Sequence, residues 1–172
     1  SYYFSVRPET LTKWEWSPQA GPFTVVSYHE NMTRIMPPQL LTKSGLQSTQ
    51  DLLENKIVLL YFSAHWCGPC RSFTPRLADI YKEAKADASL ASKFEIVFVS
   101  CDHDEDEFKG YYGEHPWLAI PYDWERREAL MGAFGVKGIP QLTVIKPDTS
   151  FIEHNATQVL SLDKLRSWAQ FA

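Results

Sequence analysis

The sequence predicts an α/β domain built on a central mixed β-sheet flanked by helices, with an irregular N-terminal extension. Three observations carry this expectation. Two apolar runs of strand length, "KIVLLYFS" at 56–63 and "FEIVFVS" at 94–100, lack a polar face, as strands covered on both sides require. Between them Phe73, Leu77, Ile80, Tyr81 and Ala84 recur at helical spacing. Strand, helix and strand of these lengths form a βαβ unit, so the two strands are expected to be parallel. A third run, "QLTVI" at 141–145, precedes a turn at Asp148 and an antiparallel partner near 151–154, which makes the sheet mixed.

Residues 1–38 read as an extension that packs on the domain through aromatics such as Trp14 and Trp16; only "FTVVSY" at 23–28 suggests a strand there. The domain proper is placed at 39–172. Its first helix is expected over about 68–87, with Pro75 inside it removing one backbone hydrogen bond. "EDEFKGYYGE" at 105–114 reads as a helix whose first-turn acids suit the helix dipole. The Pro-punctuated "HPWLAIPYD" leads to a helix over about 124–134. A closing helix runs from about 162 to 171, with Ser161 as its N-cap.

The composition narrows the function classes. At 172 residues, with 44% hydrophobic and 22% charged residues, the chain can bury a core of its own. A net charge of −4 and no basic stripe argue against nucleic acid. The run "IVLLYF" is too short to span a membrane, and "SYYFSVRPET" shows no secretory leader. Three cysteines are too few for a secreted disulfide scaffold, so a reducing compartment, the cytoplasm, is expected, with nucleus or organelle as alternatives. Asn-x-Thr triplets at Asn31 and Asn155 are read as chance occurrences.

The chemistry is concentrated in "FSAHWCGPCRSFTP", residues 62–75. Cys67 and Cys70 at this spacing can hold zinc, staple a short loop or exchange with another disulfide. They lie on the turn from a buried strand into a helix, which puts Cys67 at the helix N-terminus. Free backbone N–H groups there lower a thiol pKa, and the thiolate is the attacking species. Pro69 and the helix keep Cys70 close enough to resolve a mixed disulfide. A staple across so short a loop stabilises little. Zinc would call on Cys101 and His103 as further ligands, yet Gly68-Pro69 at a helix start is an odd metal knuckle and the core needs no metal. No metal and no cofactor are expected, the dithiol itself being the redox group. A second signal, "GVKGIPQLTVI" at 135–145, sets Ile139 and Pro140 just before a strand. Base rates favour a trans bond there. A cis bond would instead offer backbone groups beside the thiols, to align an incoming chain as a strand.

Taken together, "WCGPC", the proline five residues after Cys70, and "GIP" before a strand resemble the thioredoxin fold. "YFSAHWC", "CRSFTP", "FEIVFVSCDHDEDEFKGYY", "HPWLAIPY" and "GVKGIPQL" are similar in order and spacing to its tryparedoxin and nucleoredoxin branch, over roughly residues 40–155. The longer insertion at 108–130 also belongs to that branch. The resemblance implies a thiol-disulfide oxidoreductase that reduces protein disulfides. Cys67 would be its nucleophile and Cys70 its resolving thiol. Trp66, Gly68, Pro69, Ile139 and Pro140 would shape the substrate groove. It also implies protein disulfide clients, a peroxiredoxin-type peroxidase among them, and a dithiol or flavoprotein reductase as electron donor. A monomer is expected. The alternative reading is a redox-sensitive binding module whose dithiol state gates a partner.

The sequence departs from this pattern at four positions. Gly68 stands where that branch usually has Pro, and Cys101 where tryparedoxins typically have Trp. Tyr61 occupies the place of the buried Asp that thioredoxins carry six residues before the first cysteine, and Phe98 that of its Lys partner. Losing both members of an ion pair together avoids a stranded buried charge. Among the remaining residues, His65 and His103 are candidates for a proton relay to the thiols. Cys101 is read as a small packing residue. "DHDEDE" at 102–107 is read as a solvated face and helix start, and Tyr111, Tyr112 and Trp117 as core.

Overall fold

A computed structural model describes residues 4–5, 15–16 and 32–172. The expected strand at 23–28, and nearly all of the expected packing of the N-terminal extension, lie outside the described residues. Strands β1 (Phe4–Ser5) and β2 (Glu15–Trp16) form a short antiparallel ladder. A 3₁₀ turn at Met32–Arg34 then leads into the domain.

Three elements not anticipated from the pattern come first. Strands β3 (Gln39–Thr42) and β4 (Gly45–Ser48) form an antiparallel hairpin, and helix α1 (Thr49–Leu53) follows directly. The hairpin turn relies on Gly45 at φ +110°, where a Cβ would be strained. Next come β5 (Ile57–Ser63), α2 (Gly68–Ala86), β6 (Phe94–Ser100) and α3 (Glu105–Gly113). The chain ends with β7 (Leu118–Ala119), α4 (Trp124–Ala133), β8 (Gln141–Ile145), β9 (Phe151–Glu153) and α5 (Leu162–Ala169). Ser161 caps α5 as expected, its hydroxyl accepting the N–H of Lys164 at 3.1 Å.

The seven-stranded sheet runs β4-β3-β7-β6-β5-β8-β9. β5 and β6 are parallel, and β8 is antiparallel to both β5 and β9, so the mixed sheet is confirmed. Every residue of β5 and β6 is buried. Alternation then divides β5 between two cores. Ile57, Leu59 and Tyr61 face α2, α3 and α5 with Leu77, Phe108 and Trp168. Val58, Leu60 and Phe62 face the other side, with Leu53 of α1 and Leu130 of α4. Met32 and Met36 are buried in this second core. The ends of β5 and β6 therefore emerge side by side at one edge of a fully packed sheet, where the two cysteines sit.

Candidate active site

The turn after β5 carries the cysteines. Cys67 is the N-cap of α2, and its sulfur accepts the backbone N–H of Cys70 at 3.3 Å. The two are joined as a disulfide, with Cα atoms 5.2 Å apart. Cys70 is fully buried and Cys67 is 6% exposed, so the sulfur of Cys67 is the one a substrate can reach. Gly68 and Pro69 form the exposed first turn of the helix. The Ile139–Pro140 bond is cis, and the carbonyl oxygen of Ile139 lies 3.8 Å from the sulfur of Cys67.

Trp66 stands half-exposed beside the disulfide and donates its indole N–H to the carbonyl of Cys101 at 3.0 Å. Its ring stacks on His103, with centroids 5.4 Å apart. The His103 Nδ1 is 3.0 Å from Glu107. His65 is exposed and packs against the ring of Tyr111 at 5.3 Å. Both candidate relay histidines therefore border the site, engaged with partners other than sulfur.

One reading of the acidic run needs correction. Asp102 is fully buried rather than part of a solvated face. Its carboxylate accepts the N–H of His65 at 2.8 Å and the hydroxyl of Ser100 at 2.7 Å. Its carbonyl accepts from Arg127 at 3.2 Å and from Tyr122 at 3.3 Å. It thus joins the active-site turn to α4. Burial is tolerated because the carboxylate replaces its lost water with protein donors. The rest of the run behaves as expected, with Asp104 capping α3.

Behind Cys70 lies a buried array of hydroxyls. Thr74 donates to the carbonyl of Cys70 at 2.9 Å, the i−4 bond available to a helical threonine. Its single proton is then committed, so the phenols of Tyr61 (2.8 Å) and Tyr111 (2.7 Å) both donate to it. Tyr111 in turn accepts from Ser63 at 3.0 Å. Burial pushes the phenol of Tyr61 well above its ordinary range, so it stays neutral. Sequence reasoning missed Asp102 and Thr74. The spacing of Thr74 from Cys70 was a usable signal, whereas nothing separated Asp102 from its acidic neighbours.

Beside the disulfide opens a groove of about 420 Å³, walled by Trp66, Cys101, His103, Arg127, Met131 and Ile139. Cys101 is partly buried in it, and burial pushes its thiol up to about 11. Arg127 opposes that shift and the Asp102 and Glu128 carboxylates add to it. Such a thiol is almost wholly protonated at neutral pH and attacks poorly. Among the described residues, no group of three His, Cys, Asp or Glu side chains is placed to hold a metal ion. Among them, too, no helix is long and apolar enough to cross a membrane.

Comparison with known proteins agrees with this geometry. The family profile described as thioredoxin-like matches residues 55–151. The chain is 46% identical over 114 residues to tryparedoxin of Trypanosoma brucei brucei, covering 66% of this chain and 76% of that one. It is also 46% identical over 114 residues to nucleoredoxin of Bos taurus, but there it covers only 26% of the relative's length. Among solved structures, the tryparedoxin from Trypanosoma brucei superimposes with a TM-score of 0.65 at 43% identity, over 73% of this chain and 86% of that one.

Proposed function

The chain belongs to the thioredoxin-like family, and from that premise we propose that it reduces disulfides of protein clients through Cys67 and Cys70. The observation that carries this reading is the placement of Cys67. Its sulfur caps a helix N-terminus, is joined to a buried cysteine, and lies beside the Ile139 backbone. Helix N–H groups stabilise a thiolate there once the pair is reduced.

In the reductive direction the Cys67 thiolate attacks one sulfur of the client disulfide. A Cys67–client bond forms, the client S–S bond breaks, and one client thiolate leaves and takes up a proton. Cys70 then loses its proton and attacks the sulfur of Cys67. The mixed disulfide breaks, the second client thiolate leaves, and the Cys67–Cys70 disulfide remains. Two electrons have passed to the client, and an external dithiol or flavoprotein reductase returns them. Trp66, Gly68, Pro69, Ile139 and Pro140 form the walls against which the client chain lies, with the Ile139 backbone aligning it as an added strand. No group beyond the dithiol is called on. A peroxiredoxin-type peroxidase is one client in keeping with this chemistry, the protein acts as a monomer, and the cytoplasm is its proposed compartment.

Reduction of insulin, tested with glutathione, a bis-thiol and a flavoprotein thioredoxin reductase as donors, checks the proposal. Multiple turnovers with at least one donor are expected. Absence of turnover with all three contradicts reduction and favours a module whose dithiol state gates a partner.

A further inference from the structure

Helix α4 begins with Trp124, and that side chain is 58% exposed. Three residues further along α4, Arg127, Glu128 and Met131, line the groove beside the disulfide. Positions 124, 127, 128 and 131 follow the three- and four-residue spacing of a single helical face. Trp124 therefore continues the groove wall one turn past its end. From Met131 to Trp124 the helix rises about 10 Å, the length of about three residues of extended chain.

This face is fixed to the reaction centre. Arg127 and Tyr122 both donate to the carbonyl of Asp102, whose carboxylate holds the N–H of His65. Arg126 adds a bond to the carbonyl of Ile35 at 3.4 Å. Between the apolar ends of the face, Arg127 pairs with Glu128 at 3.2 Å, so the middle presents little net charge. An exposed tryptophan on a rigid element is also the residue type that most often anchors a bound chain.

We propose that the client surface extends from Cys67 along α4 to Trp124, and that its occupant is an extended client segment carrying a large apolar side chain about three to five residues from the reacting cysteine. This rests on the reductase reading above. What it adds is a sequence preference in the client, set by Trp124 at a distance from the chemistry. The occupant follows from continuity: the groove bounded by Trp66 and Ile139, the two neighbours of Cys67, opens onto this face without a change of helix.

The test uses peptides of about thirteen residues, each with one central cysteine blocked as a mixed disulfide with cysteamine. In a Ser/Gly host, leucine is scanned through the second to sixth positions on either side of the cysteine. In the parent protein, leucine at one or two positions three to five residues away should raise kcat/KM about three- to tenfold, within the range for partial burial of one aliphatic side chain. Trp124→Ala should cancel that gain while the ratio for unsubstituted peptide changes little, the signature of a direct coupling. A flat scan in the parent, or a gain that persists in Trp124→Ala, overturns the proposal and leaves the reductase reading standing. Failure of the parent to reduce any peptide overturns both. Sedimentation that reveals a dimer dispersed by Trp124→Ala overturns the client assignment in favour of a second copy.

Discussion

The carboxylate of Asp102 accepts the backbone N–H of His65 at 2.8 Å, across 37 residues of sequence. His65 lies two residues before Cys67, so a buried charge in the loop after β6 fixes the turn that presents the nucleophile. Replacement by alanine removes the acceptor for His65 and Ser100 together. Asp102→Ala should cost about 2–4 kcal/mol in urea unfolding, and Asp102→Asn about half of that, since one carbonyl oxygen is retained. A loss below about 0.5 kcal/mol for Asp102→Ala would show that water replaces the carboxylate at little cost.

His115 gives a stability prediction with a definite sign. It is 1% exposed, and neither ring nitrogen has a hydrogen-bond partner among the described residues. It lies among the rings of Phe98 (4.6 Å) and Tyr111 (4.4 Å). Burial pushes its pKa down from 6.5 to about 3, with the Lys43 charge adding to the shift. The unfolded chain takes up the proton first, below pH 6.5, while the folded one stays neutral until about 3. Stability is thus fully present above 6.5 and falls by about 1.4 kcal/mol per pH unit across that window. The stability difference between the parent and His115→Met, followed from pH 7 to 4, should show this slope, since the carboxylates contribute equally to both. Equal slopes would mean that His115 is protonated in the folded state.

The regular core was legible in the sequence because its signals are long. Seven-residue strands without a polar face, such as Ile57–Ser63 and Phe94–Ser100, leave little room for another reading. The β3–β4 hairpin was not legible, since its strands have four residues and Leu46 is exposed. β7 has two residues, set between Pro116 and Pro121, where the chain breaks any period. In the site, Cys67, Cys70 and Pro140 carry local signals. Asp102 and Thr74 gain their roles from tertiary neighbours: a carboxylate in an acidic run looks solvated until the loop carrying it folds over another turn.

Cys101 should be dispensable for turnover. Its thiol, pushed up to about 11 by burial, is protonated at neutral pH. Cys101→Ser should alter insulin reduction less than about threefold and lower stability by about 1 kcal/mol, the cost of a poorly matched hydroxyl. A tenfold loss of activity in a folded variant would make Cys101 a participant in exchange.

Deprotonation of Cys70 should follow pH. Tyr61 is neutral, and the protons of Thr74 and Tyr111 are committed within their array. The array therefore holds the first turns of α2 without offering a carboxylate base. Release of a preformed Cys67 mixed disulfide should accelerate as pH rises from about 6 to 9, in stopped-flow. His65→Ala and His103→Ala separate an imidazole contribution from simple ionisation of the thiol. A flat profile in the parent contradicts this account of the buried side.

The division of labour between the two cysteines is the central claim, and trapping tests it most directly. Reduced Cys70→Ser and Cys67→Ser proteins, each also carrying Cys101→Ser so that one thiol remains, are mixed with a disulfide-bearing client, and adducts are quantified by intact mass. Because Cys67 is the reachable and helix-capping member of the pair, Cys70→Ser should accumulate a stable mixed disulfide through Cys67, while Cys67→Ser, left with a fully buried Cys70, should form almost none. Equal trapping through Cys70 in Cys67→Ser would contradict the assignment.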